Sequence, residues 1–123
     1  MAVKVAVITR LDTFGENGYV IIWSGLLNGD TGDPVSLTGA GDRSIQFDGT
    51  FGVGGTIIPE GSNDVTNAGT FFGLRDPTHT LISKTAAGLE QILEITNWAR
   101  PRVTAGDGTT NLTARLVLSR RPF

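Results

Sequence analysis

One histidine and no cysteine limit the chemistry open to this chain. Without cysteine there is no disulfide framework, thiolate metal site or thiol nucleophile, and one imidazole rules out a multi-histidine zinc centre within a single chain. His79 sits in Asp76-Pro77-Thr78-His79-Thr80, a stretch that reads as a proline-set turn. No Gly-x-Ser-x-Gly elbow supplies a serine for it to activate, so it reads as a surface turn residue. Paired carboxylates could hydrolyse glycosides. The glutamates beyond Glu16 are Glu60, Glu90 and Glu94. Glu90 and Glu94 become neighbours only on a helix, and on strands Glu60 needs a partner across a cleft. Calcium needs clustered oxygens. Asn28-Gly29-Asp30-Thr31-Gly32-Asp33 and Ser62-Asn63-Asp64 are oxygen-rich but lack calcium-loop spacing, and such clusters commonly form turns by bonding their own backbone. Gly49-Thr50-Phe51-Gly52-Val53-Gly54-Gly55 lacks the Gly-Lys-Ser/Thr of a phosphate loop and leads into a strand, so it too reads as a turn.

The elements that would position these residues are short and strand-like. Nine valines, nine isoleucines and sixteen threonines suit pleated strands, and seventeen glycines suit the turns between them. Val3-Lys4-Val5-Ala6-Val7 alternates and runs on to Leu11 as one strand, too short for a signal peptide. Asp12 to Gly18 is a turn, with Asn17-Gly18 a favourable hairpin dipeptide. Tyr19 to Ser24 is an apolar run suited to a strand buried on both sides. Pro34 to Leu37 reads as an edge, and Ser44 to Asp48 alternates cleanly. Gly49 to Gly55 reads as a bulged hairpin connection to a return strand, Thr56 to Glu60, that ends near Pro59. Thr70 to Leu74 and Thr80 to Ser83 read as strands, and Leu89 to Ile95 as a strand or irregular segment. Trp98 to Thr104 is strand-like but interrupted by Pro101. Leu112, Ala114, Leu116 and Leu118 mark one face of the last strand. About nine or ten short strands spaced roughly ten residues apart predict an all-β fold, an antiparallel sandwich or barrel-like domain. The 123 residues form one domain, 1–123, with a short basic C-terminal tail, 119–123. No apolar run approaches the eighteen residues of a membrane-spanning helix.

Charge is uneven. Residues 1–99 carry five basic and eleven acidic side chains, whereas residues 100–123 carry five arginines against Asp107; balances of −6 and +4 give the net −2. The acidic total, and aromatics not interleaved with lysines, do not support nucleic-acid binding. The polarity reads either as solvated strand faces of one sign or as head-to-tail or partner docking.

The stretch Ser44-Ile45-Gln46-Phe47-Asp48-Gly49-Thr50-Phe51-Gly52 through Thr56, followed by Glu60-Gly61-Ser62-Asn63-Asp64, resembles small virion structural proteins of tailed bacteriophages. Gly88-Leu89-Glu90-Gln91-Ile92-Leu93-Glu94 and Ala99-Arg100-Pro101-Arg102-Val103-Thr104-Ala105-Gly106-Asp107-Gly108-Thr109-Thr110 extend the likeness over roughly residues 40–120. It is most similar to capsid decoration, or cement, proteins. The pattern departs after Asp64: Val65-Thr66-Asn67-Ala68-Gly69 stands where a glycine and soon a tryptophan follow in the family, and the aromatics here are Phe71 and Phe72. The resemblance implies a compact β-sandwich-like domain on the phage head surface. Such a protein is made in the host cytoplasm, binds the major capsid protein lattice, stabilises it, and self-associates as a homotrimer.

Elimination points the same way: with no nucleophile, metal cluster or cofactor loop, the chain reads as a structural or binding module, not an enzyme, with no cofactor, nucleic acid or membrane partner. Trp23, Trp98, Phe14 and Phe123 are the large candidate anchors, with Arg120 and Arg121. Both tryptophans fit core positions. The two ends, the alternating N-terminal run and the tail, are the candidate assembly regions, with Arg120, Arg121 and Phe123 as the candidate contacts, on a tail that is otherwise simply disordered. A tail or baseplate subunit and a carbohydrate-binding sandwich are the alternatives.

Overall fold

A computed structural model describes residues 2–11, 18–37 and 40–120. Eleven strands build two sheets, and no helix occurs among the described residues. The strands are β1 (Val3–Lys4), β2 (Ala6–Leu11), β3 (Gly18–Leu26), β4 (Thr31–Gly32), β5 (Val35–Ser36), β6 (Ala40–Thr50), β7 (Thr56–Ser62), β8 (Phe72–Gly73), β9 (Gly88–Gln91), β10 (Trp98–Ala105) and β11 (Asn111–Arg120). The first sheet runs β1-β4-β10-β7-β8, with β5 also on β10; the second runs β2-β3-β11-β6-β9. Every pair is antiparallel except β1–β4. The architecture is therefore a sandwich, not a closed barrel.

Alternation along the strands builds the core. Leu112, Ala114, Leu116 and Leu118 of β11 face inward with Ile45 and Phe47 of β6 and Ile21, Trp23 and Leu26 of β3. They meet Ile57, Ala99 and Val103 of the opposing sheet. Removing this apolar surface from water is the main force holding the sheets together.

Several sequence expectations change. The run 3–11 is two strands, not one: after Val5 the chain passes from the first sheet to the second. Tyr19 to Ser24 buries one face, with Ile21 and Trp23 inside and Val20 and Ile22 half-buried outside. Residues 51–55 do not close a hairpin, because β6 pairs with β11 and β9 while β7 pairs with β10 and β8. Glycine-rich turn chemistry is the same for a hairpin and for a crossing between sheets, so only the choice of partners distinguishes them. Pro59 does not end β7 and Pro101 does not interrupt β10. They lie directly opposite each other, both buried. Two residues without N–H groups can face each other only where neither must donate across the pair, and the Pro59 carbonyl instead accepts from Leu74 N–H on the other side, 3.0 Å away. Residues 80–83 form no strand; Leu81 makes a single bridge to Arg75. Ser119 and Arg120 are not tail: they end β11, opposite Gly18 and Ala40.

Candidate assembly surface

The side chains best suited to chemistry are engaged in holding the structure. His79 is exposed, with a left-handed φ of 66°, in a turn organised by Asp76. The Asp76 carboxylate accepts from the Thr78 hydroxyl (2.7 Å), Thr78 N–H (2.9 Å) and Thr80 N–H (3.1 Å), which lowers its pKa from the ordinary value. Glu60 is 4% exposed and accepts from Arg100 Nε at 3.1 Å and Arg102 Nη1 at 3.2 Å. The Arg100 guanidinium lies 4.1 Å from the centre of the Phe71 ring. Glu90 pairs with Lys84, and Glu94 accepts from the Arg75 N–H and guanidinium. Each of these three glutamates thus faces a cation.

The oxygen-rich clusters act as turn formers. Asp30 accepts from Leu27 N–H and Ala2 N–H, both at 2.9 Å, and lies 3.6 Å from Lys4 Nζ. Burial raises its pKa, but these donors together outweigh burial and hold it below the ordinary value. Asp64 accepts from Ser62 Oγ and Thr70 N–H. Among the described residues no group of three or more histidine, aspartate or glutamate side chains is placed to hold a metal ion.

At one end of the sandwich, the turn between β6 and β7 is locked to the turn between β10 and β11. Asp107 accepts from Thr109 Oγ1 (2.7 Å), Thr109 N–H (2.8 Å) and, across the gap, Val53 N–H (2.9 Å). The Thr109 hydroxyl, followed by the amides of Val53 and Thr109, brings its pKa down to about 2. Thr110 Oγ1 donates to the Phe51 carbonyl at 2.8 Å, and Asn28 Nδ2 to the Gly106 carbonyl at 3.2 Å. Gly52 has a φ of +71°, and a Cβ at Gly55 would stand 1.9 Å from the Phe51 carbonyl oxygen. Only glycine fits at either position.

The N-terminal segment is built the opposite way. β1 and β2, joined through Val5, are the edge strands of the two sheets on one side of the sandwich. Their outer edges pair with no other strand among the described residues. Val3, Val5, Val7 and Ile8 are 59%, 77%, 59% and 60% exposed. Val7 lies opposite Ile22 on the outer face, while Ile8 lies opposite buried Ile21 on the face turned toward the other sheet. That sheet ends at the two-residue β1 and leaves Ile8 uncovered. The outer-face patch continues inward through half-buried Val20 and Ile22 to Val117. The opposite side of the sandwich, edged by β8 and β9, exposes Phe72, Leu81, Leu89, Leu93 and Ile95.

The anchors named from sequence separate. Trp23 is fully buried and donates through Nε1 to the Asp33 carbonyl at 2.9 Å. Trp98 is half-buried and donates through Nε1 to the Asp64 carbonyl at 3.1 Å. Arg120 closes β11, in the strand end adjoining the row of Leu11, Gly18 and Ser119. Phe14, Arg121 and Phe123 lie outside the described residues. Sequence reasoning placed assembly at both ends of the chain but named contact residues only on the C-terminal tail, and did not foresee that the N-terminal run edges both sheets. The adjacent apolar pair Val7-Ile8 was its signal, since a strand apolar on both faces must be covered on both.

The chain matches no protein-family model and no curated protein.

Proposed function

We propose that this chain is a structural virion protein that decorates and stabilises a phage capsid, binding the major capsid protein lattice and self-associating, as a homotrimer. The observation that carries this reading is the apolar, open N-terminal edge. A long, exposed, apolar edge strand invites pairing and aggregation, and proteins ordinarily blunt such edges with charge, proline or a covering element. Here four aliphatic side chains are left exposed along edges of both sheets, which suits a domain whose work is association through surface area. The turn end, in contrast, spends its polar groups on its own backbone. The resemblance over residues 40–120 supplies the phage head as the setting. The basic end, Arg120, Arg121 and Phe123, is proposed as a second contact, combining guanidinium forks with an aromatic anchor.

The test is co-sedimentation of the purified chain with phage heads lacking it. Saturable binding that raises the heat resistance of the heads is the expected result. Binding to isolated tails and not to heads would move the protein elsewhere in the virion, and binding to neither would overturn the reading. Deleting residues 121–123, which spares the β11 pairing of Ser119 and Arg120, is expected to leave the fold intact and weaken head binding.

A second reading, carbohydrate binding, has one observation in its favour. Exposed Phe72 borders an open cleft of about 520 Å³ whose polar lining includes Asn63, Asp64, Arg75 and Glu94. An aromatic face beside hydrogen-bonding groups is the chemistry that sugars require. Retention on immobilised polysaccharide, abolished by Phe72→Ala, would favour it.

A further inference from the structure

We infer that copies of this chain join head to tail, the outer edge of β2 in one copy adding to the outer edge of β9 in the next. The inference rests on the self-association proposed above and specifies the surfaces that carry it.

The register of the second sheet carries the argument. Val7 lies opposite Ile22, Ile22 opposite Arg115, Arg115 opposite Gln46, and Gln46 opposite Leu89, so these five residues form one row across the outer face. Val7 and Leu89 end that row, and both are exposed. Four antiparallel steps separate β2 from β9, so the two edge strands run in the same direction. A second copy placed to continue the sheet without stagger sets its Val7 beside Leu89 of the first, in a parallel pair of the kind β1 and β4 already form. Leu93 and Ile95, exposed just beyond β9, extend the apolar surface on that side.

Area points to a second copy as the occupant. The exposed parts of Val3, Val5, Val7 and Ile8 amount to roughly 400 Å², about half of the ~800 Å² per partner in an interface of standard size. The partly open Val20 and Val117 of the outer face and the unpaired strand backbone add to it. Two-fold pairing of β2 with β2 would cover this edge and leave the β9 edge open in every copy. Head-to-tail pairing covers both edges with one type of contact and, when the rotation closes, gives a ring.

Because the chain has no cysteine, single cysteines report the contact cleanly. Val7→Cys and Leu89→Cys proteins would be prepared separately, then oxidised alone and as a mixture; neighbouring strands place paired Cα atoms within disulfide range. Sedimentation velocity on the unmodified chain would give the mass of the assembly, and circular dichroism would check that both variants keep the native sheet spectrum. The expected result is a closed oligomer, with a Val7–Leu89 cross-link only in the mixture. Cross-linking of Val7→Cys with itself would replace head-to-tail pairing by two-fold pairing. A closed oligomer with no cross-link in any arm would also overturn the inference while leaving self-association standing. A monomer at every concentration would overturn self-association itself.

Discussion

The turn end and the N-terminal edge dispose of their polar and apolar groups in opposite ways. At the turn end, one carboxylate and one hydroxyl satisfy the backbone of two loops, and glycines stand where any side chain would collide. Along residues 3–8, aliphatic side chains stay exposed and the outer strand edges pair with no other strand among the described residues. A region that satisfies itself adds to the stability of the single chain. A region that leaves apolar surface and an open edge gains only when something covers it. Substitutions in the two regions should therefore separate, one set lowering stability and the other lowering association.

The largest stability effect is expected from Gly55→Ala. Its new Cβ would collide with the Phe51 carbonyl, a backbone atom that cannot swing aside, and the cost should be about 3 kcal/mol in denaturant unfolding. The molecules that remain folded should associate normally. A loss well under 1 kcal/mol would show the turn to be pliable and would weaken the contrast.

Asp107→Ala should act next, through pH. The folded carboxyl has a pKa of about 2, below its ordinary 3.8. A depressed pKa contributes stability that is present above the unfolded value and is lost as pH falls through the folded one. The variant should melt below the parent at pH 7, and the gap should narrow from about pH 4 downward and close below about pH 2. A gap independent of pH across that window would mean that the negative charge is not what holds the turns.

Replacing Val5 and Val7 together by lysine should change unfolding free energy by no more than about 0.5 kcal/mol per site, since both side chains are exposed. Association should nevertheless fall, because lysine on an open edge opposes strand addition. Sedimentation velocity and head co-sedimentation would show it. The smallest effect belongs to His79→Ala: within about 0.5 kcal/mol and without effect on assembly, as befits an exposed turn residue.

Much of the fold was legible in the residues. The alternation of Leu112, Ala114, Leu116 and Leu118 gave the inner face of β11, and β-branched runs cut by glycine gave the sheet class. Sheet membership was not legible: the crossover after Thr50 and the switch at Val5 depend on which strand each segment meets in the core, and no local spacing records that. The two prolines were read as breaks because a single strand cannot show that Pro59 and Pro101 face each other. The exposure of the N-terminal run was hidden for a related reason. Val3, Val5 and Val7 alternate like a strand with one buried face, and only the position of β1 and β2 at the sandwich edge leaves them exposed.

Amide hydrogen exchange on the chain diluted to its monomer and on the chain assembled on phage heads tests the central claim most directly, because it reads both regions in one experiment. Exchange in residues 3–11 should slow markedly on assembly, while the amides of Val53, Asp107, Thr109 and Thr110, already satisfied within the chain, should change little. Unchanged exchange in 3–11 with new protection confined to the two turns would contradict the account and place the contact at the rigid end of the sandwich.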